Sequence, residues 1–154
     1  MENSSNLFAD VNLGIGSPDR VSQLREEWRM TRAVLMELQQ LGKPTVNLHL
    51  TGVDVVIRNV LQVLMPDLRK PVTTWRQGER LVLPAVRNSG TLILQDVGTL
   101  ARDDQRRLLE WTLVASRTQV VSTTRSPLLP RVQAGAFIDT LYYRLNTVSV
   151  NVTE

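Results

Sequence analysis

The stretch Ser89–Leu100, SGTLILQDVGTL, constrains this chain more than any other. Thr91–Leu94 is a short apolar run without alternation, which reads as a strand buried on both faces. Strands of that kind belong inside parallel sheets, where helices cover each side. The run ends in a polar pair, Gln95 and Asp96, followed by a turn at Gly98. Open α/β sheets bind their ligands beyond the carboxyl ends of the strands, so this pair marks the place to look for a site.

Other segments supply the remaining layers. Ser17-Pro18-Asp19 has the form of a helix start, with a hydroxyl cap, a proline and an acid at the positive end. Val21, Leu24, Trp28, Thr31, Leu35 and Leu38 recur at helical spacing and extend that helix to about Leu41. Thr45–Thr51 alternates as a first strand, Val53–Leu64 reads as a helix closed by Pro66, and Val72–Trp75 is a second strand. Arg80–Val86 is ambiguous, and Pro84 argues against a regular central strand there. The opening run is the third strand, followed by a helix over Ala101–Ala115 with Leu108, Leu109, Trp111 and Leu113 inward. Thr118–Thr123 is a fourth strand. A short helix to about Ala134, a helical stretch over Ala136–Leu145 and a fifth strand over Thr147–Val152 complete the pattern. Strands alternating with helices give a three-layer α/β sandwich with a mainly parallel sheet. Residues 1–16, rich in Asn, Ser and Gly, are expected to form a loose arm, and residues 17–154 a single domain.

Composition narrows the chemistry. With 18 Lys and Arg against 15 Asp and Glu, the net charge of +3 is small, and the arginines are scattered among acids. The cluster Arg102–Arg107 is interleaved with Asp103 and Asp104 and reads as a solvated helix face, so direct DNA binding is not expected. The chain has no cysteine and a single histidine, His49, inside the first strand, where it fills the sheet. Thiolate metal sites and disulfides are therefore excluded, and a transition-metal site has little to build from. No G-x-S-x-G elbow is present. Trp28, Trp75 and Trp111 are assigned to packing. Met1–Asn12 lacks the features of a signal peptide and no apolar segment reaches spanning length, so the expectation is a cytoplasmic protein.

Three motifs carry a family resemblance. Gly90-Thr-Leu-Ile-Leu-Gln-Asp-Val-Gly98, followed by Asp104-Gln105 and Leu108-Leu109, is similar to the GTLFLDEIG strand and LPLxxQxxLLRxL helix of one family. Phe137-Ile-Asp-Thr-Leu-Tyr-Tyr-Arg-Leu-Asn146 matches its FRxDLYYRLN, with the last six residues identical. Val120-Val-Ser-Thr-Thr124 is similar to its γ-phosphate-sensing strand, and Ile15-Gly16-Ser17-Pro18 to its IGxSP opening. The chain thus resembles the AAA+ ATPase domain of bacterial activators of sigma-54 RNA polymerase. That resemblance implies a P-loop NTPase fold with five strands in the order 5-1-4-3-2, read in chain order.

The departures from the family bear on function. Gly52-Val-Asp-Val-Val-Ile-Arg-Asn59 stands in place of GxxGxGK followed by Glu or Thr. Gly52 keeps the leading glycine, Arg58 stands for the lysine and Asn59 for the residue after it. A phosphate loop turns its backbone N–H groups inward at positions that need glycine, and Val55 and Ile57 occupy two of them. Gln95 replaces the first carboxylate of the metal-binding pair and Asp96 keeps the second, which weakens a site for a hard cation. Thr123 or Thr124 falls near the sensor asparagine. Of the family's two trans-acting arginines, Ile138 replaces one and Arg144 keeps the other, at a possible subunit interface. No GAFTGA-like string, which contacts sigma-54 in working activators, occurs between Gly52 and Gly90, and the segment before Gln119 is short for the second loop. A helical lid and a DNA-binding helix-turn-helix are not expected after the fifth strand.

These features lead to the expectation of a pseudo-ATPase without a cofactor, acting as a regulatory protein-interaction module in transcription. Its partner would be a second copy or an intact sigma-54 activator. Two other readings compete: a residual ATP- and Mg²⁺-dependent domain in which Arg58 and Asp96 take over the lost roles, and a nucleic-acid binder using the arginine-rich helix faces.

Overall fold

The computed structural model describes residues 11–14, 26 and 47–153. Among the described residues, six parallel strands form one sheet: β1 (Val11–Gly14), β2 (Leu48–Thr51), β3 (Val72–Trp75), β4 (Gly90–Leu94), β5 (Thr118–Thr124) and β6 (Val148–Thr153). Their order is β1-β6-β2-β5-β4-β3. The five expected strands take their expected order, and β1 is added beside β6, with Val11 opposite Val150. Residues 11–14 are therefore part of the sheet rather than of a loose arm, because β6 offers them an unpaired edge. The helix expected over residues 17–41 lies outside the described residues apart from Glu26, which is helical and exposed. The Ile15–Pro18 motif, Trp28 and the first two residues of the Thr45–Thr51 strand lie outside them as well.

Within residues 47–153, four α-helices cover the sheet: α1 (Asp54–Leu64), α2 (Arg102–Val114), α3 (Leu129–Gln133) and α4 (Asp139–Leu145). Along α1, Val56, Ile57, Val60, Leu61 and Leu64 recur on one stripe and are buried. They pack on one face of the sheet against Leu48, Leu50, Ile93, Val121, Val148 and Val150. The other face collects Leu92, Leu94 and Val120 with Leu108 and Trp111 of α2 and Phe137, Leu141 and Leu145 around α4. All five residues of β4 are buried, as a strand covered on both sides requires.

Some expectations about side chains and boundaries give way to tertiary constraints. Leu113 is 58% exposed rather than inward, because Gln105, Leu108 and Trp111 set the buried stripe and Leu113 lies about 200° beyond Trp111. The helical stretch expected from Ala136 begins at Asp139. Gly135 adopts a positive φ of 77°, and the amides of Ala136 and Phe137 both donate to the Arg131 carbonyl. That turn delivers Phe137 into the core at 2% exposure, so helix can start only after it.

Arg76–Ser89 joins β3 to β4 without helix or strand. This strap lies on the α2 face, where Leu81 is buried. Its carbonyls are held by side chains instead of by a ladder. The Trp75 indole donates to Glu79 O (2.9 Å), the Trp111 indole to Pro84 O (2.8 Å) and Arg107 to Leu81 O (3.3 Å). Pro84 thus disrupts the strand pattern while its carbonyl fastens the segment. Asn47 is a second clasp: its Oδ1 accepts from Val120 N (3.0 Å), its Nδ2 donates to Arg144 O (2.9 Å) and its carbonyl accepts from Val148 N (3.0 Å).

Gly90 opens β4 with φ at 151°, and a Cβ there would lie 2.5 Å from the Pro71 carbonyl oxygen. That oxygen accepts the Thr91 amide, so it cannot retreat without cost. We expect Gly90→Ala to lower the free energy of unfolding by about 2–4 kcal/mol. Urea denaturation monitored by tryptophan fluorescence measures this, and an unchanged midpoint would show that the close approach is not binding.

Candidate functional site

The carboxyl ends of β3, β4 and β5 and the helix α1 line one cleft of about 720 Å³. β2 ends at Thr51, the Gly52 amide donates to Thr124 O (2.9 Å), and Val53 leads directly into α1. Of the positions aligned with a phosphate loop, Asp54–Asn59 are therefore ordinary helix. Val55 and Ile57 suit that conformation, whereas a positive φ would strain them. Asp54 occupies the first turn of α1, where a carboxylate favours the positive end of the helix.

β4 leaves the sheet through Gln95, whose amide donates to Trp75 O (2.9 Å). Asp96 then takes φ 53° and ψ 56°, a left-handed conformation that Asp tolerates better than most residues. Its amide donates to Thr123 Oγ1 (3.0 Å), and its carbonyl accepts the Thr99 amide (3.0 Å) and hydroxyl (2.7 Å). The tight turn Val97–Thr99 is thereby fixed.

Arg125, just past β5, joins the two sides of the cleft. Its Nη2 lies 2.9 Å and its Nε 3.0 Å from the Asp54 carboxylate, a two-point pairing. Its Nε is also 3.7 Å from Asp96 Oδ2. Both Arg125 and Asp54 are more than half exposed, so the pair adds at most about 1 kcal/mol to stability. Its effect is on the cleft's chemistry, since it spends an arginine on internal carboxylates. Arg58, Arg76 and Arg125 face Asp54, Glu79 and Asp96 across the lining, and the formal charges cancel.

Arg58, Gln95, Asp96 and Thr123 thus come together around the cleft. Gly52 lies behind it, bonded to β5. Asn59 on α1 is half-buried and does not line the cleft. Thr124 turns the opposite way, its hydroxyl 3.2 Å from His49 Nε2, while His49 Nδ1 is 2.7 Å from Ser122 Oγ. Between the two candidate sensor residues, only Thr123 reaches Asp96. Arg144 is exposed on α4, away from the cleft. Asp54 and Arg125 were missed by sequence reasoning, although Asp54 lies within the Gly52–Asn59 segment and Arg125 directly follows Val120–Thr124. No group of three or more potential metal-ligating side chains occurs among the described residues.

Residues 30–154 match the model of the Sigma-54 interaction domain. The chain belongs to that family. The transcriptional regulator NtrC of Rhizobium meliloti (strain 1021), described as DNA-binding, is 36% identical over 75 residues, covering 41% of this chain and 16% of that protein. NtrX from Brucella abortus in complex with ADP has the same fold, with a TM-score of 0.62 at 17% identity, over 89% of this chain and 36% of that one. Its complex with ATP gives 0.59 at 18% identity, over 90% and 38%. This sigma-54 interaction domain therefore spans well under half the length of those relatives. Among its described residues, no helix is long and apolar enough to cross a membrane.

Burial pulls His49 down from its ordinary 6.5 to about 4, so the imidazole is neutral in the folded domain. The unfolded chain binds this proton below about pH 6.5, and stability falls from there until the folded pKa is passed. The loss by pH 4 amounts to roughly 3 kcal/mol. Because His49 is the only histidine in the chain, its Hε1 proton gives one resolvable NMR signal. We expect that signal not to titrate above pH 5; a midpoint near 6.5 would mean the ring is solvated.

Proposed function

We propose that this domain is a protein-interaction module of sigma-54-dependent transcriptional regulation that neither binds nor hydrolyses ATP. The observation that carries this reading is the start of α1, which places Asp54 and its arginine where a phosphate loop would hold an anion. A phosphate loop needs several inward-facing amides on glycine-rich backbone, and here the connection between β2 and α1 is Gly52 and Val53 alone. Arg58 sits a full turn into the helix, about 6 Å along it from its first residue, rather than at the helix N-terminus where a phosphate-loop lysine stands. ATP would also have to displace Arg125 from Asp54 and place its own charge beside that carboxylate. Gln95 supplies a neutral amide where Mg²⁺ wants a carboxylate, and Asp96 is already turned toward Arg125.

The partner in this proposal is a second copy or an intact sigma-54 activator. Arg144 supports it: the side chain is exposed at the end of α4, has no hydrogen bond or ion pair among the described residues, and stands beside exposed Tyr143. Joining an intact ring would insert a subunit without a working site, which is a direct route to inhibition.

A second reading keeps residual nucleotide binding, because Arg58 and Asp96 do line one cleft. Calorimetry separates the two. We expect no heat of binding from ATP with Mg²⁺ up to about 1 mM, a dissociation constant weaker than roughly −4 kcal/mol of affinity. Micromolar binding abolished by Arg58→Ala would overturn the proposal. For the partner, immobilised domain is expected to retain sigma-54 activators or itself, and Arg144→Ala to reduce retention about tenfold. Recovery of neither, or recovery indifferent to that substitution, sinks the assignment of this surface.

A further inference from the structure

The amino ends of the strands, opposite the cleft, carry a concentration of positive charge that the scattered arginines of the sequence concealed. The Thr91 hydroxyl donates to Arg69 O (2.9 Å), and the Arg69 guanidinium donates to Arg117 O (3.3 Å). The Thr118 hydroxyl donates to Asn88 O (3.0 Å), and Gly90 lies opposite Thr118 in the sheet. This knot of bonds draws the start of β3, the end of the strap and the turn before β5 together. Arg69, Lys70, Arg87 and Arg117 are all in it or next to it in the chain, and all are exposed. Lys70, Arg87 and Arg117 have no side-chain partner among the described residues. The closest acid in sequence, Asp67, already has one.

Aliphatic side chains stand beside these cations. Arg107 and Trp111 of α2 bond the strap at Leu81 and Pro84, so strap and helix run side by side. Val114 is next on that helical stripe and Val86 next on the strap, and they are 58% and 45% exposed. Exposed β-branched residues flanked by unpaired cations suit a partner that brings carboxylates and apolar side chains together. A nucleic acid would use the cations but offer nothing to the valines. A single strand would also want exposed aromatic rings for stacking, whereas Trp75 and Trp111 are buried.

We propose that this end of the sheet docks an acidic, leucine-type apolar segment of a partner protein, with carboxylates on Arg69, Lys70, Arg87 and Arg117 and aliphatic groups on Val86 and Val114. The surface is separate from the cleft and does not depend on whether nucleotide binds there. Charge complementarity of this kind acts strongly on the encounter rate and weakens with salt.

The test is fluorescence anisotropy with the full chain and a short labelled peptide of Glu, Asp and Leu. Its controls are the same peptide with Ser for Leu and a labelled DNA duplex. The Leu-containing peptide is expected to bind more tightly than both, with affinity falling as salt rises. Arg87→Glu combined with Arg117→Glu should weaken it about tenfold or more, and Val114→Ser several-fold, while Arg106→Glu leaves it unchanged. Matching thermal unfolding of each variant with the parent shows that the fold is intact; if a variant is unstable, the peptide comparison and salt titration on the parent decide. Equal binding of the Ser peptide, tighter binding of the duplex, or an equal loss in Arg106→Glu overturns the proposal.

Discussion

Backbone pairing of β4 on both sides holds the domain together. β5 pairs with it along its full length and β3 over Thr91–Leu94, and the five buried residues Gly90–Leu94 alternate between the faces. Leu92 and Leu94 anchor the α2 face and Ile93 the α1 face. Each such side chain contributes about 1.5–3 kcal/mol by leaving water. Thr91, the polar member, is tolerated because its hydroxyl donates to Arg69 O. A glycine must begin the strand, since a neighbouring carbonyl lies where a side chain would start. The residues that leave the strand at its other end, Gln95 and Asp96, inherit their positions from this pairing.

Much of this was legible in the residues. The doubly buried run and the alternation of helix and strand sufficed for the α/β fold, and the family resemblance carried by motifs such as Leu141–Asn146 implied the order of the five core strands. Less legible were features that depend on distant partners. Val11–Gly14 looks like any polar arm until β6 lends it an edge. Asn47 looks like one more polar residue in an alternating strand, yet it ties three separate segments. Leu113 fits a helical stripe on paper, but the widths of Trp111 and Leu108 decide which way the helix faces. At the site, the sequence located Arg58, Gln95, Asp96 and Thr123. It could not show that Arg125 would reach across to Asp54, because a salt bridge over 71 positions leaves no periodic trace.

The cleft and the His49 network illustrate two ways of handling polarity at the same sheet. On one face the polar groups are open to water and balance one another as ions. On the other, His49, Ser122 and Thr124 are buried and balance as neutral hydrogen-bonding groups. Neighbouring residues of β5 serve both, Thr123 to one side and Thr124 to the other, as the pleat of a strand dictates.

The strap from Arg76 to Ser89 has a consequence for how such a domain can change over time. It is fastened through its carbonyls, which every amino acid possesses, rather than through the side chains it displays. Leu81 must stay apolar to fill the core, but Val82, Ala85 and Val86 face outward and bear no part of the fastening. Mutation can therefore rewrite the displayed text of the strap while the indoles of Trp75 and Trp111 go on gripping its spine. A domain built this way has a region of its surface whose recognition properties can drift without disturbing the fold that presents them.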